Sequence, residues 1–151
     1  MINKPTNELN ELLEGTKLGK IGDYLRENAK YLAGDEMAFS YYFKDLLAQK
    51  RIKLKDVYSF AGVSESYGSK ILSMDKHAKN RDLILRFCLA GRFSWEETNR
   101  ALKLYGMSEL YAKDPRDACI IVSINNRIHD LGTIDGMLED NGLKKLSPDA
   151  E

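Results

Sequence analysis

The side chains able to do chemistry are concentrated in one short stretch. Between Ser64 and Ser73 hydroxyls recur at Ser64, Ser66, Ser69 and Ser73, with a carboxylate at Glu65, a phenol at Tyr67 and an amine at Lys70. Such groups donate and accept hydrogen bonds and place single charges; they do not assemble a catalytic centre. The chain has no glycine-rich phosphate loop, no Gly-x-Ser-x-Gly elbow and no recognisable acid–base pair, so catalysis is not expected. His77 and His129 lie far apart, with no Cys-x-x-Cys or His-x-x-x-His spacing, so no bound metal or other cofactor is expected. Cys88 and Cys119, the only cysteines, sit in apolar stretches and are expected to be reduced core residues.

Charge singles out the same region. The 151 residues balance 23 basic against 23 acidic groups. From Lys50 to Arg81, however, eight basic residues (Lys50, Arg51, Lys53, Lys55, Lys70, Lys76, Lys79, Arg81) face three acidic ones, a local balance of +5. Two acidic flanks enclose this positive middle, the pattern expected when one face of a protein meets phosphate; a solvated charged surface is the plain alternative. With 43% hydrophobic and 30% charged residues and three prolines, the composition belongs to a folded, mostly helical chain. No stretch reads as a secretory signal or a membrane span, which points to a cytoplasmic protein with no membrane partner.

The elements that would hold these groups follow from periodicity. Leu9, Leu12, Leu13, Leu18, Ile21, Leu25 and Leu32 suit short amphipathic helices near Glu8–Leu13 and Asp23–Leu32, the second ending at Gly34. Asp35 is placed to cap a helix over Glu36–Lys50, whose Phe39, Tyr42, Phe43, Leu46 and Leu47 form a core stripe. From Asn80 the chain repeats itself. Arg81-Asp82 and the two apolar segments after it recur about 35 residues later from Arg116-Asp117, each copy reading as a helical hairpin. Ser94-Trp95-Glu96-Glu97 is a capping box, and Asp114-Pro115 caps and opens the second copy. Two copies are too few for a solenoid, so the second is expected to pack on the first or to offer a partner surface.

The stretch from Ile52 to Leu72 contains two short helical patterns joined at Ala61-Gly62-Val63-Ser64. Gly62 can take positive φ, Val63 can plug the angle between the helices, and Ser64 can cap the second one. At these residues the chain resembles the Xre family, the Cro and lambda-repressor-like DNA-binding domains. With Ser66-Tyr67-Gly68, Arg81-Asp82 and Leu110-Tyr111-x-x-x-x-Arg116-Asp117 it also resembles small bacterial Xre-type proteins that carry an extra C-terminal helical hairpin. The resemblance implies an all-α fold: a five-helix helix-turn-helix domain over residues 35–106, an N-terminal helical segment over 1–34, and a C-terminal hairpin and tail over 107–151.

The resemblance further implies a sequence-specific, DNA-binding transcriptional regulator, dimeric on double-stranded DNA. Ser64, Glu65, Ser66, Ser69, Lys70 and Ser73 would point to the major groove, with Tyr67 at its edge. Serines bond base edges or phosphate, Lys70 can reach guanine, and Glu65 can accept from cytosine. Leu54 stands where the family places a phosphate-binding polar residue, leaving Lys53 and Lys55 to take over that contact; Lys76 and Lys79 add to the basic surround. Tyr58 and Gly68 replace a small and a branched residue at facing positions, a swap that conserves volume. The alternative is a protein-interaction adaptor that keeps the helix-turn-helix fold without strong DNA binding and engages a partner through the C-terminal hairpin.

Overall fold

A computed structural model of the chain describes residues 6–27 and 36–148. Among these the secondary structure is entirely helical: α1 (Thr6–Glu14), a 3-10 turn (Leu18–Lys20), α2 (Ile21–Glu27), α3 (Ala38–Lys50), α4 (Leu54–Ala61), α5 (Glu65–Leu72), α6 (Arg81–Ala90), α7 (Trp95–Leu104), α8 (Pro115–Asn125) and α9 (Leu131–Asp140). None of these helices is long and apolar enough to cross a membrane.

The first helices depart from the expected boundaries. α1 spans one more turn than Glu8–Leu13, and α2 begins at Ile21, two residues before Asp23. The expected end at Gly34 and the Asp35 cap fall outside the described residues. α3 begins at Ala38 rather than Glu36, and its N-cap position, Met37, provides no side-chain cap. Tyr24 is buried, whereas Leu12, Leu13, Leu18, Ile21 and Leu25 stay exposed.

One hydrophobic cluster runs from Phe39 to Leu146 and draws on every helix from α3 to α9. Its aromatic centre packs Phe39 edge-on to Tyr105 at 4.7 Å and Phe43 against Phe93 at 4.9 Å between ring centroids. Ile120, Ile134, Leu138 and Leu146 of the second hairpin belong to the same cluster as Val57 and Ala61 of α4, so the hairpin is packed into the body. Cys88 is fully buried and Cys119 half-buried, both as free thiols. Burial, with the charge of Glu97 behind it, pushes the Cys88 thiol far above its ordinary range. A thiol-alkylating reagent is therefore expected to modify Cys119 in the native chain and Cys88 only on unfolding; mass spectrometry of the native protein showing Cys88 labelled first would contradict this.

The repeated hairpins meet through a reciprocal pair of ion pairs. Arg81 at the start of α6 donates to both carboxylate oxygens of Asp117 at 2.9 and 3.0 Å; Arg116 at the start of α8 donates to both of Asp82 at 2.7 and 2.9 Å. Each arginine also closes its own hairpin. Arg81 reaches the carbonyls of Ser108 and Glu109, and Arg116 those of Lys144 and Lys145. Because each copy's arginine is answered by the other copy's aspartate, the contact is isologous, as across a two-fold axis, and closes at two copies.

Helix ends follow the expected local rules, with one systematic exception. The Ser94–Glu97 capping box is complete, Asp114 accepts from the Asp117 N–H, and Ser64 accepts from the Tyr67 N–H. Gly62, Gly106 and Gly142 take positive φ just beyond α4, α7 and α9. Gly91 does not: its φ is −77°, and the left-handed residue after α6 is Arg92, φ 57°. Gly91 is needed for space instead, because a Cβ there would stand 2.7 Å from the Phe93 ring and 3.0 Å from Leu47.

Candidate nucleic-acid interface

α5 is amphipathic at helical spacing, with Gly68, Ile71 and Leu72 buried and Glu65, Ser66, Tyr67, Ser69 and Lys70 exposed. Gly62 sets the turn, φ 76°, with its N–H and that of Val63 bonded back to the carbonyls of Ser59 and Tyr58. Val63 packs partly buried against the core, and Ser64 then opens α5 through its 3.1 Å bond from the Tyr67 N–H. The turn thus uses one lone pair of Ser64 and leaves its O–H free to donate outward.

Tyr58 and Gly68 face each other as the sequence suggests. A Cβ on Gly68 would lie 2.3 Å from Cδ1 and 2.6 Å from Cε1 of the Tyr58 ring, so the ring fills the space that a side chain on α5 would take. The ring is nearly buried and meets Phe87 edge-on. Burial, then the charge of Glu65, raises the Tyr58 hydroxyl above its ordinary range, so it stays a neutral phenol.

Beneath the turn lies a buried cation. Arg86 of α6 donates through Nε to the Ala61 carbonyl at 2.9 Å and through Nη1 to the Leu146 carbonyl at 3.0 Å. Burial pulls its affinity for the proton down, while Asp82 and Asp135 oppose the shift. The Ala61 carbonyl belongs to the negative end of α4, which suits a cation. Asp135 accepts from the Leu146 and Ser147 N–H groups and the Ser147 hydroxyl, holding the tail against the turn, where Pro148 lies 3.3 Å from a Cβ position on Gly62.

The other expected site residues divide among elements. Lys76 is brought to the head of α5, its amine 5.9 Å from the Tyr67 ring centroid. Lys53 is the N-cap residue of α4 and Lys55 lies in its first turn, while Lys79 precedes the Asn80 cap of α6; all three are exposed. Ser73 stands apart. It is the half-buried C-cap of α5, and its hydroxyl is spent on the Asp75 carboxylate and the Lys70 carbonyl. Two of the eight cations in the basic stretch are also engaged, Lys50 by Glu97 at 3.0 Å and Arg81 by Asp117. The free positive charge at this face is correspondingly smaller than the sequence count.

Sequence reasoning missed Arg86, whose burial depends on contacts 25 and 60 residues away. Among the described residues no group of three or more His, Cys, Asp or Glu side chains is placed to hold a metal ion. Comparison of the chain with known protein families, with curated proteins and with solved structures found no match.

Proposed function

We propose that α4, the Gly62 turn and α5 form an Xre-type, lambda-repressor-like helix-turn-helix, and that the protein is a sequence-specific DNA-binding transcriptional regulator acting as a dimer. The observation that carries this reading is the open outer face of α5. Ser64, Glu65, Ser66, Tyr67, Ser69 and Lys70 are all exposed on a helix whose opposite side is locked into the core. Among the described residues, neither the second hairpin nor the segment after it covers them. The side chains of Ser66, Ser69 and Lys70 make no hydrogen bond or ion pair with other described residues, so their polar groups are available to a base edge or phosphate. Lys53, Lys55, Lys76 and Lys79 supply the sequence-independent attraction.

Binding of the full chain to random and genomic duplexes at two salt concentrations tests the proposal. Affinity is expected to fall steeply with salt. Lys53→Ala should weaken all duplexes alike and lower the salt slope by about 1, whereas Lys70→Ala should cost about 1–3 kcal/mol and relax the sequence preference. If no duplex binds at low salt, the DNA reading fails and the adaptor role is left.

A further inference from the structure

Three helices of this protein end in the same unusual way. After α3, α6 and α8 the chain turns through Arg51, Arg92 and Arg127, all left-handed at φ 59°, 57° and 55°, and each is followed by an apolar residue, Ile52, Phe93 or Ile128. The N–H of that apolar residue bonds back to the carbonyl of Leu47, Cys88 or Ser123, completing the hydrogen-bonded cap. The left-handed residue just after α4, α7 and α9 is glycine, and after α5 it is Met74, φ 67°. A non-glycine residue there costs about 1–2 kcal/mol, while a cation at an exposed helix C-terminus returns about 0.3–1 kcal/mol. The dipole therefore does not offset the strain, and backbone stability alone favours glycine at all three places.

The three arginines line one region. A cavity of about 420 Å³ is bounded by Arg92 and Arg127 with Lys50, His129, Phe93 and Trp95. A second, of about 360 Å³, shares Lys50, Arg92 and His129 and adds Arg51. Among the described residues, Asp56, in the second cavity, is the one carboxylate lining either. Among the described residues Arg51, Arg92 and Arg127 have no carboxylate within ion-pair distance, and Lys50 alone of the cations is paired, with Glu97. Burial first, and then the charges of Arg92 and Arg127, hold His129 below the ordinary histidine range; the second cause reflects the nearness of both guanidinium groups to its ring. Unpaired guanidinium groups match the geometry of phosphate, and Trp95 brings an indole to the lining of the same cavity.

We propose that this groove is a binding site for a small phosphorylated ligand of the nucleoside monophosphate class, with the phosphate between Arg92 and Arg127 and the base against Trp95. The site is separate from the outer face of α5 and does not depend on how that face is used. The volume suits a small-molecule pocket, and the mixture of apolar wall and convergent polar groups is the usual composition of one.

Trp95 is the only tryptophan, so its fluorescence in the full-length protein reports on the groove directly. Titration with adenosine monophosphate is expected to change that signal saturably and to raise the pKa of His129 seen by NMR. Inorganic phosphate should compete, and adenosine should bind much more weakly. Arg92→Gly and Arg127→Gly keep the left-handed turn without strain; each is expected to leave Tm unchanged or higher while weakening the nucleotide at least about tenfold. The proposal is overturned if millimolar nucleotide moves neither reporter, if adenosine binds as well as its monophosphate, if both glycine variants bind like the parent, or if duplex DNA saturates the Trp95 signal and the nucleotide does not.

Discussion

Replacing Gly68 by leucine is expected to destabilise this protein by more than about 3 kcal/mol, and replacing it by alanine by about 1–3 kcal/mol. The sign for alanine is informative, because in an unobstructed helix the same change gains about 1 kcal/mol. Here the added Cβ would sit 2.3 Å from the Tyr58 ring, which is buried and has Phe87 beside it, so the ring cannot swing freely away. Tyr58→Ala alone should also be costly, by about 3–5 kcal/mol, through the cavity it leaves. The double variant Tyr58→Ala/Gly68→Leu returns volume to the same space and should be more stable than the sum of its parts by more than about 1 kcal/mol. Thermal melts of the four variants decide the matter. Equal melting temperatures for Gly68→Ala and Gly68→Leu, or strict additivity in the double variant, would show that the two positions do not share one space.

The second large effect concerns the reciprocal arginine–aspartate pairs, which match in geometry but differ in surroundings. The Asp117 side chain is 8% exposed and that of Asp82 19%. Asp117 accepts from the Tyr111 N–H in addition to Arg81, so its removal leaves both a guanidinium and a backbone donor without a partner. Asp117→Ala is expected to cost about 3 kcal/mol and Asp82→Ala about 1–2 kcal/mol, measured by denaturant unfolding. Equal losses would refute the asymmetry. Burial favours the protonated form of Asp117, but the bonds from Arg81 and the Tyr111 N–H and the charges of Arg81 and Arg116 outweigh it and hold the carboxyl below its ordinary value. A carboxyl depressed in the folded state contributes stability above its unfolded pKa of about 3.9, and that stability is lost as pH falls through the folded value. Acid unfolding of Asp117→Ala should accordingly be shallower than that of the parent below about pH 4.

Features fixed by neighbours a few residues apart were legible from the residue order. Gly62, the Ser64 and Asp114 caps and the Ser94–Glu97 box each need only three or four residues to be recognised, and the buried stripe of α5 follows from its period. The facing of Tyr58 and Gly68 came from the resemblance of the turn to the Xre family, which implies that these two positions lie against each other, and from no periodicity in the sequence. Other features depend on distant contacts. Arg81 counts as a free cation in any sum over residues 50–81, and only its contact 36 residues away with Asp117 removes it. Ser73 has the same side chain as Ser66 and Ser69, yet its place at the end of α5 ties its hydroxyl to the Asp75 carboxylate and the Lys70 carbonyl. The arginines of the groove carried a signal that periodicity overlooks: an arginine followed by an apolar residue just past a helix end, three times over, with Arg92 and Arg127 at matching places in the two repeats.

The clip made by Arg86 bears on the order in which the chain can mature. Its two carbonyl partners, Ala61 and Leu146, lie on opposite sides of it in sequence, the second 60 residues downstream. As the chain leaves the ribosome, α4, the turn and α5 can coil from local information, yet the cation beneath them lacks one of its acceptors until residue 146 has been made. In a nascent chain ending before that point water takes the place of the Leu146 carbonyl, so the guanidinium is bonded but not yet buried. The outward-facing helix is thus synthesised early and secured late, so its full rigidity is reached only when the second hairpin and the segment after it are in place.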